Sequence, residues 1–122
     1  MRRILLVEDE DLLRETFVLI MASQPYDINT AEDGQAALAL CEKHEYDLIL
    51  LDLMMPILDG VGFMERFMPN KPTKTKLIVL SNLTIGTELE KAMNMGADRS
   101  VLKSSLSPKE LLSLVRYELG TT

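Results

Sequence analysis

Two hydrophobic periods alternate along the chain. In residues 3–7, RILLV, the apolar run from Ile4 to Val7 is of the kind that fills a buried strand. In EDEDLLRETFVLIMAS the spacing becomes helical, with Leu13, Phe17, Ile20 and Met21 on one face. YDINTA predicts a short strand, and Asp33-Gly34 a turn into a helix through about His44, with Ala37, Leu38 and Cys41 on one side. DLILLD, residues 47–52, is a third strand that ends on a carboxylate. Asp59-Gly60 opens a helical segment carrying Val61, Met64, Phe67 and Met68, closed by Pro69 to Pro72. KLIVLSN predicts a fourth strand, and a helix from about Thr84 to Asn94 ends at Gly96, a C-terminal cap. SVLK is a fifth strand. Ser107 caps a last helix that begins at Pro108 and carries Leu111, Leu112, Val115 and Leu119.

Five strands alternating with five helices require parallel pairing through right-handed crossovers, hence a single-domain, doubly wound α/β sandwich of three layers over residues 1–122. In such sheets the polar groups at the carboxyl ends of the central strands collect in one crevice at the topological switch point. Function is therefore expected at that edge.

Composition narrows the classes. The length of 122 residues suits one domain, and hydrophobic residues at 47% with charged residues at 26% are ordinary globular values. A net charge of −6 argues against direct nucleic-acid binding, since Lys71, Lys74 and Lys76 form the only local basic cluster. The longest apolar run is interrupted by Asp52 and too short to span a bilayer. With a single Cys41 and no signal-like N-terminal segment, a reducing cytoplasm is the expected location.

Each strand delivers a polar group at its end: Glu8 and Asp9, then Asp52, then Ser81 and Asn82, then Lys103. Taken singly these have bland explanations, such as acidic residues favouring a helix N-terminus. Gathered in one cleft they do not. Three carboxylates about 5 Å apart repel at about 3 kcal/mol per pair at an effective dielectric of ~20, and so call for a cation. All-oxygen ligands suit Mg²⁺, with Mn²⁺ as an alternative, and leave positions for water or a phosphoryl oxygen. An aspartate between cation, ammonium and hydroxyl is placed to act as a nucleophile on phosphorus, with Lys103 and Ser81 neutralising the transferred oxygens.

ILLVEDE, LILLDLMMPILDG, LIVLSN and GADRSVLKS, in that order and at these spacings, resemble the receiver (CheY-like) domain of two-component response regulators over the whole chain. The resemblance implies a flavodoxin-like sheet of order 2-1-3-4-5 and Asp52 as the residue phosphorylated from a histidine kinase or histidine phosphotransfer protein. It implies Mg²⁺ held by Asp9, Asp52 and the main-chain carbonyl of Met54, with Glu8 acting through water. Lys103 would contact the phosphoryl group, Ser81 would move toward it, and Pro56 with Asp59-Gly60 would shape the intervening turn. Such a module is not a dedicated enzyme, although it catalyses its own phosphorylation and dephosphorylation. It signals to a downstream effector protein or output domain, and a homodimer through the fourth helix, fifth strand and fifth helix is one arrangement it admits. Both a stand-alone regulator and a receiver within a longer protein fit this reading.

Three positions depart from the family pattern. Asn82 follows the switch hydroxyl where a very small residue is usual. Ser104 follows Lys103 in place of a proline in a cis peptide; a non-proline cis bond costs about 2.5–4 kcal/mol, and the isomer is left open. Ser100 replaces an aromatic three residues before the lysine, so conformational change is expected in the Asn82–Gly86 loop rather than in strand five. Two other functions are weighed against the leading one. A degenerate receiver could serve as a constitutive interaction module, but all five chemical positions hold competent residues. An aspartyl-phosphate phosphohydrolase needs an acid two residues beyond its nucleophile, and Met54 stands there.

Overall fold

The computed structural model describes residues 1–82 and 86–120. Its strands are β1 (Arg2–Val7), β2 (Tyr26–Ala31), β3 (Leu48–Asp52), β4 (Lys76–Ser81) and β5 (Arg99–Leu102). Between and after them run α1 (Asp11–Met21), α2 (Gly34–Lys43), α3 (Gly60–Phe67), α4 (Thr87–Asn94) and α5 (Pro108–Leu119). The strands form one parallel sheet in the order β2-β1-β3-β4-β5, as expected.

Alternation along the central strands divides the core. Leu5, Val7, Ile49, Leu51, Leu77 and Val79 face Ala37, Val61, Phe63, Met64 and Ala92 from α2, α3 and α4. Ile4, Leu6, Leu48, Leu50, Ile78 and Leu80 face the other way, against Phe17 and Met21 of α1 and Leu111, Leu114, Val115 and Leu119 of α5. Since each fully buried Leu or Ile contributes about 1.5–3 kcal/mol, the unbroken apolar runs of β1, β3 and β4 follow from having helices over both faces. On α5 the buried stripe is Leu111, Leu114, Val115 and Leu119, which leaves the expected Leu112 half-buried at its margin. Phe63, absent from the expected face of α3, is fully buried.

Local chemistry sets the helix starts. Asp33 accepts a hydrogen bond from the Ala36 N–H at 2.8 Å, and Asp59 does the same for the Gly62 N–H at 2.8 Å. Ser107 accepts from the Glu110 N–H and donates to Glu110 Oε1, with Pro108 at the first helical position. At the other end of α4, Gly96 takes φ +108, the left-handed conformation that glycine adopts most readily. The helix starts expected at Gly34 and Pro108 hold, whereas Thr84, the expected start of the fourth helix, lies outside the described residues.

Gly60 sets how closely α3 approaches the end of β3. A Cβ there would lie 2.7 Å from the Asp52 carbonyl oxygen and 2.7 Å from Leu53 Cα, both backbone atoms that cannot turn aside. The connecting loop contains a tight turn in which the Leu58 N–H donates to the Pro56 carbonyl at 2.8 Å. The intervening Ile57 has φ +70 and is 80% exposed. This is the strained hand of γ-turn, unusual for a β-branched residue. Docking of the loop on α2, through the Gly34 N–H to the Leu58 carbonyl at 2.8 Å, holds it in place.

Candidate functional site

At the carboxyl edge the structure gathers Glu8 and Asp9 from the end of β1, Asp52 from the end of β3, Ser81 from β4 and Lys103 just beyond β5. Glu8 continues the β1 backbone outward, its N–H donating to the Ala31 carbonyl at 3.0 Å, which carries its side chain into the cleft rather than into solvent. Asp52 closes a strand whose other four residues are apolar and fully buried. One carboxylate oxygen from each of Glu8, Asp9 and Asp52 can be chosen such that all lie within 4.8 Å of one another. Glu8 and Asp52 are buried and Asp9 is exposed at the mouth.

One cation already enters this cluster. Lys103 Nζ lies 2.6 Å from Glu8 Oε1 and 3.2 Å from Asp52 Oδ2, with its side chain only 7% exposed. Burial raises the Asp52 carboxyl, and the Glu8 charge raises it further. Lys103 and the Met54 N–H, which donates to Asp52 Oδ1 at 3.3 Å, pull it back, leaving the pKa at about 6. For Lys103, burial disfavours the charge, but the hydrogen bond to Glu8 and the Asp52 charge outweigh it and raise the pKa above its ordinary value. The two buried carboxylates therefore share one ammonium, an excess of negative charge that suits a hard divalent cation in an oxygen-lined cleft.

Ser81 is half-buried at the end of β4, one residue past Leu80, which pairs with Asp52 across the sheet. Lys103 was expected as the last residue of the fifth strand. Instead β5 ends at Leu102, and Lys103 begins a 3₁₀ turn through Ser105, closed by the Leu106 N–H to the Lys103 carbonyl at 3.2 Å. That turn directs the lysine back across the sheet toward Glu8. No cis peptide occurs among the described residues, so the Lys103–Ser104 bond is trans. Asn82 and Ser100 are both exposed, and of the expected switching loop residues 83–85 lie outside the described residues.

Met54 is 69% exposed and Met93, on α4, is also exposed, whereas Met95 packs against the core. Sequence reading did not single out Arg14. Its guanidinium donates to the Glu8 carbonyl at 2.9 Å and to Asp11 Oδ1 at 2.6 Å, behind the acidic turn. The only signal for it is the i,i+3 pair Asp11–Arg14, which on most helices is a surface ion pair.

The family model described as the response regulator receiver domain matches residues 4–116. The transcriptional regulatory protein SrrA of Staphylococcus aureus is 32% identical over 119 residues, covering 98% of this chain and 48% of its own length. A probable transcriptional regulator, ycf27, of Galdieria sulphuraria is 34% identical over 117 residues, 96% of this chain and 45% of that protein. The chain thus spans about half the length of these curated relatives. Among solved structures, the response regulator protein TrrA of Thermotoga maritima in complex with Mg²⁺–BeF superposes with a TM-score of 0.83 at 32% identity, covering 98% of this chain and 100% of that one. The chemotaxis protein CheY4 of Vibrio cholerae superposes with a TM-score of 0.86 at 27% identity, covering 98% and 99%. Among the described residues no helix is long and apolar enough to cross a membrane.

Proposed function

Because this chain belongs to the response regulator receiver family, we propose that it works over residues 1–122 as one phosphoacceptor module, taking a phosphoryl group onto Asp52 from a histidine kinase or histidine phosphotransfer protein. The observation that carries this reading is the setting of Asp52, a buried carboxylate with a lysine ammonium 3.2 Å away and two further carboxylates within metal-sharing distance. An Asp52 oxygen attacks phosphorus, the bond from phosphorus to the donor nitrogen breaks, and the departing imidazole takes up a proton. Lys103, held beside the acceptor, offers its charge to the oxygens of the transferred group.

The donor set fits Mg²⁺, with Glu8, Asp9 and Asp52 as the side chains that would hold it and the Met54 carbonyl as the main-chain ligand the family pattern adds. Bound there, the ion supplies positive charge to the phosphoryl oxygens. Ser81, at the end of the neighbouring strand, is the hydroxyl that would follow the phosphoryl group and draw on the segment leading into α4. With Ser100 small and exposed on an edge strand, no ring is available there to relay the change. The consequence is altered binding of a downstream effector or output domain. The exposed Met54, standing where a phosphohydrolase needs its acid, counts against metabolite hydrolysis.

The test is chemical. Incubation of the protein with Mg²⁺ and acetyl phosphate is expected to add one phosphoryl group per chain, released by hydroxylamine as an acyl phosphate must be, and Asp52→Asn is expected to take none. Labelling of that variant to the same extent, or an adduct that resists hydroxylamine, would overturn the assignment.

A further inference from the structure

Arg14 sits in the first part of α1, yet its side chain is only 12% exposed. Its guanidinium is spent on three segments at once. One arm donates to the Glu8 carbonyl at 2.9 Å; the other donates to Asp11 Oδ1 at 2.6 Å and lies 3.6 Å from Glu32 Oε1, in the turn between β2 and α2. The first contact is the informative one. That carbonyl belongs to the peptide joining Glu8 to Asp9, so holding it fixes the plane from which both carboxylates depart.

The rest of the turn is lightly supported. The Glu8 N–H donates to the Ala31 carbonyl at 3.0 Å, and the Glu10 N–H donates to Glu8 Oε2 at 3.1 Å. The second holds the far side of Asp9 through the Asp9–Glu10 peptide, but neither bond reaches the Asp9 side chain, which is exposed and is repelled by Glu8 and Asp52. We infer that Arg14 is a positioning residue for the acidic site, clamping the Glu8–Asp9 peptide so that Asp9 stays within reach of a divalent ion shared with Glu8 and Asp52. The inference rests on the reading of this cluster as a cation site. It has a built-in opponent, because a guanidinium near a cation site lowers affinity by repulsion. Here that charge is offset by Asp11 and Glu32, so the clamp should outweigh it.

The two effects have opposite signs, which makes the test decisive. Mg²⁺ is titrated into the full chain and followed by amide chemical shifts in wild type, Arg14→Met and Arg14→Gln. Both variants are neutral and keep the buried stem, but only glutamine retains a donor for the Glu8 carbonyl. Arg14→Met is expected to weaken Mg²⁺ binding about tenfold, the scale on which groups that orient metal ligands act. Arg14→Gln is expected to recover most of that loss, and metal-free Arg14→Met should show shifted Asp9 and Glu10 amides with β4 and β5 unchanged. If Arg14→Met binds Mg²⁺ as tightly as wild type or more tightly, repulsion dominates and the inference is overturned. Equal losses in the two variants would also overturn it, since the loss would then not depend on a donor for the Glu8 carbonyl. A wild-type protein that takes no Mg²⁺ would instead sink the cation-site reading together with everything built on it.

Discussion

Lys103 Nζ lies 2.6 Å from Glu8 Oε1, a buried contact between two residues from opposite ends of the chain. It is shorter than the 3.2 Å contact of the same ammonium with Asp52, so the lysine serves chiefly to neutralise Glu8.

Removing the ammonium should therefore be costly before any chemistry begins. Lys103→Ala leaves Glu8 fully buried beside Asp52 with no compensating cation, and breaking such a pair costs about 3 kcal/mol. Glu8→Gln should cost only about 1 kcal/mol, because Lys103 keeps Asp52 as a partner. Urea unfolding with and without saturating Mg²⁺ checks this. The Lys103→Ala deficit is expected to shrink in Mg²⁺, which replaces the lost charge, and a deficit that Mg²⁺ leaves unchanged would show that the ion and the ammonium do not serve the same carboxylates.

Asp52 carries a pH signature. Burial, then the Glu8 charge, lifts its folded pKa from 3.8 to about 6, so the folded state holds the proton to higher pH than the unfolded chain does. The resulting stabilisation is fully present below about pH 4 and is lost as pH rises through about 6. Asp52→Asn removes the titration. In metal-free buffer its stability advantage over wild type is expected to be small near pH 4 and to grow to about 2 kcal/mol at pH 7, with solvent at the cleft mouth screening part of the effect. Thermal melts of both proteins across this range decide it, and an asparagine variant less stable than wild type at pH 7 would contradict the sign.

Ile57 offers a stability gain away from the chemistry. At φ +70 a β-branched residue stores about 1–2 kcal/mol, and at 80% exposure its side chain returns little in packing. Ile57→Asn and Ile57→Gly are each expected to raise stability by about 0.5–1 kcal/mol, asparagine at lower entropic cost, whereas Ile57→Val should be neutral. The melting temperatures of the three variants measure the strain directly.

The parts most legible in the sequence were those governed by one local signal. Unbroken apolar runs identified β1, β3 and β4 because a strand covered on both faces leaves no room for alternation. Asp33-Gly34 and Asp59-Gly60 identified helix starts as turn signals, and Ser107 did so as a cap, because a capping side chain must stand at a fixed distance from the N–H it serves. The gathering of Glu8, Asp9, Asp52, Ser81 and Lys103 at one edge followed from parallel topology alone. What stayed hidden depended on contacts between distant segments. That Lys103 leaves the strand and bonds Glu8 before Asp52 is decided by a 3₁₀ turn with no apolar period of its own. Arg14 drew no notice because its decisive partner is a carbonyl oxygen, and main-chain atoms carry no sequence label. Leu112 and Leu114 exchanged places because a stripe that advances by three and four residues cannot be phased from its first member alone.

β3 has a hydrogen-bonded neighbour on each side and helices over both faces. Its amides should consequently exchange with solvent only through openings that break most of the sheet, making residues 50–52 among the slowest to exchange in deuterium. Asp52, the proposed acceptor, thus rides on backbone that yields least. Work done by a newly attached dianion cannot be absorbed by bending that strand, since this would require something close to global unfolding. It must pass sideways to neighbours whose opening costs less, such as the exposed edge of β5, and that is where exchange should quicken or slow on modification.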